Sequence, residues 1–492
     1  MTLDERGTAT AAGTPGTSAA ATNPAHDPRL TNADLAPLRT RTWRTYNYVA
    51  FWMSDVHSVG GYVTAGSLFA LGLAAWQVFV ALIVGIGLVY LLCNLVARPS
   101  QESGTPYPVV CRASFGVLGA NVPAIIRGLI AVAWYGIQTY LASQSVVVVL
   151  LKLWPSLGAM AAPDSGIAGL SGLGWIAFLA MWALQAAVFW RGMEAIRRFI
   201  DFCGPAVYVV MFALAGYLLY RSNWDVDLNL SATSVTGWAA VPVMLGAVAL
   251  VVSYFSGPML NYGDFARYAV SFSAVRRGNL IGLPVNFLVF ALLVVVTSAA
   301  TLPVYGELIT DPVETVAHLD STTAVVLGAL TFMIATIGIN IVANFVSPAF
   351  DFSNVAPTRI SWRTGGMIAA VASVLITPWN LYSSPEVIHY TLDTLGAFIG
   401  PLYGVLIADY YLVSKRRIDV DALYTLSPDG RYHYRRGYNP VAIAVTVVGA
   451  TAAMLLVLLG SADAAAYSWF VGAVLAFVLH AVLSRSRARA AA

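Results

Sequence analysis

Trp134 and Gln138 stand four residues apart in "AWYGIQTY" (133–140), inside an apolar run from Asn121 to about Trp154. On a helix that spacing is one face. An indole and a carboxamide would then look the same way from a segment too oily for a soluble surface. Asn340 and Asn344 repeat the spacing later in the chain. A carboxamide both donates and accepts, so it can pair with a planar –NH–CO– unit while both partners stay uncharged. Left unpaired in a dry site, such a group costs roughly 1–3 kcal/mol, which becomes selectivity against rings of the wrong polar pattern. A stacked aromatic adds on the order of 0.5–1.5 kcal/mol. The chemistry these residues suit is the recognition of a neutral, flat, hydrogen-bonding ring. The plainer alternative is an amide that knits two helices together.

A second group suits a cation. "FWMSDVHSVGGYVTAGSLFALGL" (51–73) places Asp55, His57, Ser58, Gly60 and Gly61 in the first half of another apolar run. Ionisable groups at such depth face a cavity or a partner, and a Gly pair weakens the helix there. "LVVSYFSGPMLNYGDFARY" (250–268) carries Ser256-Gly257-Pro258, which removes a backbone donor and disfavours a continuous helix. Irregular backbone at membrane depth is tolerated only against protein or water.

The elements that must position these residues are membrane helices. The chain has 492 residues, 58% hydrophobic and only 10% charged, against roughly 25% charged in an average soluble domain. Apolar runs recur at about 48–72, 74–97, 121–152, 173–190, 199–220, 238–260, 280–304, 322–347, 365–379, 388–413, 440–460 and 465–484. Most approach the ~20 residues that cross a bilayer as a helix. The expected fold is an all-α membrane protein of about twelve spans. Residues 1–40, rich in Ala, Thr, Pro and Gly, read as a disordered cytoplasmic tail. A single transmembrane domain follows over 41–484, then a short cytoplasmic tail at 485–492. Of the 27 basic residues, all but Lys152, Arg221 and Arg127 fall in the tails or in loops on one side if spans alternate. The positive-inside rule puts that side, with both termini, in the cytoplasm. The net charge of +3 therefore reports topology rather than nucleic acid. Cys93, Cys111 and Cys203 match no metal or redox spacing. Breaks in the first and sixth spans, five segments apart, are what inverted-repeat transporters carry at their binding site.

Four stretches carry a family resemblance: "TPYPVVCRASFGVLGANVPAIIRGLIAVAWYGIQTY" (105–140), "NYGDFARY" (261–268), "NIVANFVSPAFDFSNVAP" (340–357) and "GPLYGVLIADYYLV" (400–413). Together, and in this order, they resemble the nucleobase–cation symporter-1 family over about Trp43 to Leu483. The resemblance implies a five-plus-five inverted repeat of the leucine-transporter type, with repeats at about 45–220 and 238–413 and two extra helices at about 440–484. It implies a site in which Trp134 stacks on one face of a ring and Phe255 on the other. Gln138 and Asn344 would hydrogen-bond the ring's carbonyl and N–H groups. Ser58 falls where other members carry Gln or Asn.

The resemblance also maps an ion site. In sodium-coupled relatives the ion lies between helices one and eight, at positions matching Ser54, His57 and the Ala335 carbonyl. The two hydroxyl positions of helix eight match Gly338 and Ile339, which have no side-chain oxygen. Sodium coupling is thereby short of two ligands. A carboxyl at the helix-one break can take up a proton instead, which makes Asp55 the leading proton carrier and His57 the second. Asp264 and Arg267 fit an inner gate or, more simply, a helix cap. The expected function is cation symport of a nucleobase-like ring, uracil or a close pyrimidine first, with H+ the driving ion and Na+ the alternative. The runner-up is a hydantoin or allantoin permease, and the reading from another class is a membrane sensor that binds without transport. No H-E-x-x-H, G-x-S-x-G or phosphate loop points to an enzyme or cofactor. The partners expected are the small ring and the lipid bilayer of the plasma membrane, with a monomer as the default.

Overall fold

The computed structural model describes residues 23–57, 71–228, 235–382 and 385–484. Ser58, Gly60 and Gly61 lie outside the described residues. In lipid every backbone N–H and C=O must find its partner within the segment, and the apolar runs accordingly become helices. In chain order they are α1 (Thr45–Val56), α2 (Ala75–Ser103), α3 (Asn121–Leu153), α4 (Gly172–Trp190), α5 (Met193–Arg221) and α6 (Gly237–Leu260). The second half has α7 (Phe272–Tyr305), α8 (Thr322–Val355), α9 (Trp362–Leu375), α10 (Pro385–Ala408, extended by Asp409–Val413), α11 (Pro440–Leu459) and α12 (Ser468–Leu483). Nine helices among the described residues, α2–α8, α10 and α11, are long and apolar enough to cross a membrane. Leu91, Leu129, Phe212, Val447 and Leu458 are exposed on the outer surface of these helices, as suits lipid. No sheet forms among the described residues; the β-contacts are isolated bridges such as Trp43 with Ala269.

α3 is central, packed against α4, α8 and α9; α1 lies against α5 and α8, and α2 against α6. α10 and α12 meet backbone to backbone. A methyl group on Gly400 or Gly404 would run into the carbonyls of Trp469 and Ala473, which is the close approach small residues allow.

Two helices shape the region where α1, α3, α6 and α8 meet. α6 does not break at Ser256-Gly257-Pro258. It stays helical through Leu260 with Pro258 in its last turn, and the break falls at Asn261 before a single turn, Gly263–Ala266. A proline deletes only its own bond to the carbonyl four residues back, so the helix persists two residues beyond it. α8 switches to π-helical bonding over Asn340–Val346 and returns to α at Ser347. Such wide turns recur at functional positions.

Residues 23–40, expected to be part of a disordered tail, instead lie against one face of the bundle. Leu35 and Ala36 are fully buried. Arg267 donates to the carbonyls of Asp34 and Ala36, Asn32 donates to Ser353 Oγ and Pro357 O, and Tyr424 Oη donates to Leu35 O. The Trp362 N–H donates to Asp34 at 3.0 Å. Composition concealed this, because a strap needs only a few apolar anchors once its carbonyls are satisfied by side chains from the bundle.

Candidate binding site

α1, α3, α6 and α8 converge on a cavity with about 310 Å³ of empty space, lined by Asp55, Trp134, Gln138, Tyr254, Pro258, Ile339, Ala343 and Asn344. Trp134 and Gln138 face it from one side of α3, as their spacing required. Gln138 is 1% exposed and its Oε1 is buried without a partner. Asn344 reaches the same cavity from the π segment of α8.

What aims Asn344 is Asn340. The Asn344 Nδ2 donates to Asn340 Oδ1 at 3.1 Å. Asn340 Nδ2 in turn donates to Tyr135 O, Thr139 Oγ1 and Gln185 Oε1 at 3.0, 3.0 and 2.7 Å. Gln185 closes the network by donating to Thr139 Oγ1 at 3.2 Å. This fixes α8 to α3 and α4 immediately beside the cavity. One Asn344 N–H is occupied, leaving the rest of the amide for a ligand.

Phe255 does not join the site. It is buried against Trp52, Tyr254 and Phe287, each edge-on, while its neighbour Tyr254 lines the cavity and meets Trp134 edge-to-face at 6.1 Å. Successive helical residues point roughly 100° apart. The face of α6 turned toward Trp134 therefore carries Tyr254, and Phe255 points away from it.

Of the cation group, Asp55 is at the cavity. Its carboxyl is 1% exposed and neither oxygen has a hydrogen-bond partner. His57 is not at the cavity. Its Nδ1 meets Gly204 O at 3.1 Å, its Nε2 meets Asn286 Oδ1 at 2.9 Å, and its ring stacks on Phe290. Ser54 donates to Ile200 O at 3.3 Å. A Cβ on Gly338 would stand 3.6 Å from Ser54 Cβ, so α8 lies directly against α1 here. Ala335 is buried at 1% exposure. Among the described residues no cluster of three His, Cys, Asp or Glu could hold a metal.

Asp264 and Arg267 are both buried, and no ion pair joins them among the described residues. Asp264 accepts from the Tyr107 N–H at 2.8 Å, while Arg267 holds the strap. Burial pushes the Asp264 carboxyl up, and the Tyr107 N–H and the guanidinium groups of Arg267 and Arg127 pull it back down. Arg127, in the sequence only an exception to the one-sided distribution of basic residues, has a definite place here. It is fully buried, and its Nη2 donates at 3.1 Å to the carbonyl of Ala343, a residue of the cavity lining. A lone arginine in an apolar run was the signal available.

Against known proteins, residues 36–472 match the sequence profile of a family described as permease for cytosine/purines, uracil, thiamine, allantoin. The allantoin permease of Bacillus subtilis is 34% identical over 93% of this chain and 94% of its own length. The purine-uracil permease of Arabidopsis thaliana is 32% identical over 86% of this chain and 71% of its own. Among solved structures, the nucleobase-cation-symport-1 transporter Mhp1 is similar in a closed conformation with bromovinylhydantoin bound. There the TM-score is 0.76 and the identity 22%, covering 94% of this chain and 96% of that one. Its inward-facing conformation gives a TM-score of 0.72 at 23% identity, with 94% and 95% covered. These likenesses show the fold, a five-plus-five inverted repeat followed by two further helices.

Proposed function

Because the chain belongs to the family of permeases for cytosine and purines, uracil, thiamine and allantoin, we propose that it is a secondary active symporter importing a neutral planar ring. The ring carries alternating N–H and C=O groups, uracil or a close pyrimidine first. The observation that carries this is the unpartnered Gln138 Oε1 beside Trp134 and Asn344 in one small cavity. Gln138 accepts from a ring N–H, Asn344 pairs with the adjacent carbonyl or N–H, and Trp134 supports one face, with Tyr254 closing the other side. A hydantoin or allantoin ring offers the same alternation. The names of the B. subtilis relative and of a putative allantoin permease from Escherichia coli, 30% identical over 90% of this chain, favour that as the second reading.

The driving ion in this reading is H+. Asp55 stands in the cavity with both oxygens free of partners, and it takes up a proton with the ring and releases it on the other side. Gly338 and Ile339 offer no side-chain oxygen to Na+. His57, with both ring nitrogens occupied, holds α1 to α5 and α7. The protein sits in the cell membrane as a monomer with both termini cytoplasmic, by the distribution of its arginines. The strap of residues 23–40 and Arg267 then lie on the cytoplasmic face.

Uptake of labelled uracil, allantoin and hydantoin into cells expressing the chain tests this, with Na+ removed or the proton gradient collapsed. Concentrative uptake that survives sodium removal and ends with the proton gradient is expected. Asp55→Asn is expected to abolish accumulation but leave exchange of internal for external ring. Full accumulation by that variant would remove Asp55 from the mechanism. Binding without any uptake would make the protein a sensor.

A further inference from the structure

Two carboxyl groups among the described residues are buried with both oxygens unpartnered. One is Asp55, at the cavity. The other is Asp351, on the part of α8 that follows the π segment, fully buried. Near it lies an incomplete partner. Arg127 of α3 donates from Nε to Asn261 Oδ1 at 2.9 Å and from Nη2 to Ala343 O, but its Nη1 has none. Ala343 lines the cavity, so this guanidinium is bonded to the backbone of the cavity wall. Asn261 in turn contacts Ser347 and Asp264, tying the wall to the break after α6. α3 and α8 touch at this level, for a Cβ on Gly128, next to Arg127, would run into the ring of Phe352, next to Asp351, yet no ion pair joins Arg127 to Asp351.

An unpaired buried carboxyl and a buried guanidinium with a spare donor are each costly alone and strong together. The geometry points to Arg127 and Asp351 as the two halves of an inner gate: Arg127 forms the floor of the cavity when closed, and takes the Asp351 carboxylate as its partner when the floor opens. On opening, Arg127 leaves the Ala343 carbonyl and Asn261, and the floor of the cavity parts toward the strap face. One side chain thus has two discrete sets of partners, the kind of bistable element through which small shifts become large ones. The inference rests on the transporter reading above, but not on which ring or ion is carried.

Cys111 reports the event. It is fully buried on the short helix Tyr107–Phe115, which packs against both α3 and the end of α8. The full chain, with Cys93→Ala and Cys203→Ala, is reconstituted in liposomes. A membrane-impermeant maleimide is then applied from the face that carries the N-terminus, with no ring added. Loss of the open-state pair by Asp351→Asn is expected to slow Cys111 alkylation by roughly tenfold or more. Asp351→Glu, which keeps the charge, is expected to stay within about threefold of the parent. Alkylation of the Asn variant at the parent rate or faster would overturn the gate, as would a Glu variant as slow as the Asn variant. A parent whose Cys111 never labels from that face would overturn it too. The expected pattern in a protein that takes up none of the rings tested would leave the gate standing and discard the substrate reading.

Discussion

Replacing Gln138 by methionine separates a reader of ligand from a fastener of helices. The two side chains are similar in length, but methionine brings neither donor nor strong acceptor. In the empty protein Gln138 Oε1 is buried with no partner, so its removal breaks no bond and relieves an unsatisfied atom. The empty variant is expected to melt at the parent temperature or slightly above. With a ring bound, the N–H that Gln138 would accept faces sulfur or carbon instead, which costs roughly 1–3 kcal/mol. That corresponds to a Kd raised by roughly 5- to 150-fold. Gln185 provides the contrast. It donates to Thr139 Oγ1 and to Met181 O and accepts from Asn340, so Gln185→Met is expected to lower the melting temperature of the empty protein. Calorimetric titration of purified protein with uracil and with allantoin, alongside thermal melts without ligand, reads both quantities. Gln138→Met that melts several degrees lower while Kd stays put would refute the reasoning, for it would show an amide that packs the bundle.

Asn340→Ala removes three donated bonds and one accepted bond from a buried network, and is expected to cost on the order of 2–4 kcal/mol of stability, read as a lower melting temperature together with weaker ring binding. Gly338→Ser with Ile339→Thr restores the two missing hydroxyls. The new Cβ at 338 meets Ser54 at ordinary contact distance, so the double variant should fold, and uptake stimulated by Na+ is the expected result; uptake still indifferent to Na+ would place the ion elsewhere. Leu35→Asp buries a charge with no partner at a fully enclosed position of the strap, and is expected to lower thermal stability by several kcal/mol, whereas a harmless substitution would mean the strap contributes little to the fold.

The helices were readable in advance because a bilayer demands a long apolar segment for each crossing, and the boundaries of α3, α4 and α11 lie close to the ends of their apolar runs. Trp134 and Gln138 were readable because a regular helix turns spacing into direction. That logic does not extend to every residue assigned to the site. Phe255 is matched to a ring face by resemblance alone, and on α6 it is Tyr254, one residue earlier, that reaches the cavity. Asn340 had the right spacing from Asn344, but its work is to hold its neighbour, a role that depends on Thr139 and Gln185 from two other helices. The strap was hidden for a different reason: its binding runs through backbone carbonyls, which every residue possesses. Asp351 gave no local sign at all, since an acidic residue near the end of a span ordinarily meets water.

The π segment of α8 has a consequence for what the chain can lose. Within it each turn holds more residues than its neighbours, and on either side ordinary α geometry resumes. Losing the wide turns while keeping every residue between Asn340 and Val346 would return the helix to a uniform pitch and swing everything after it by roughly 100°. Ser347, Asp351, Ser353 and Asn354 would then leave Asn261, the Arg127 cluster, Asn32 and Arg112 together. A phase offset built into one helix is thus what allows the same rod to address the cavity with its upper half and the strap face with its lower half.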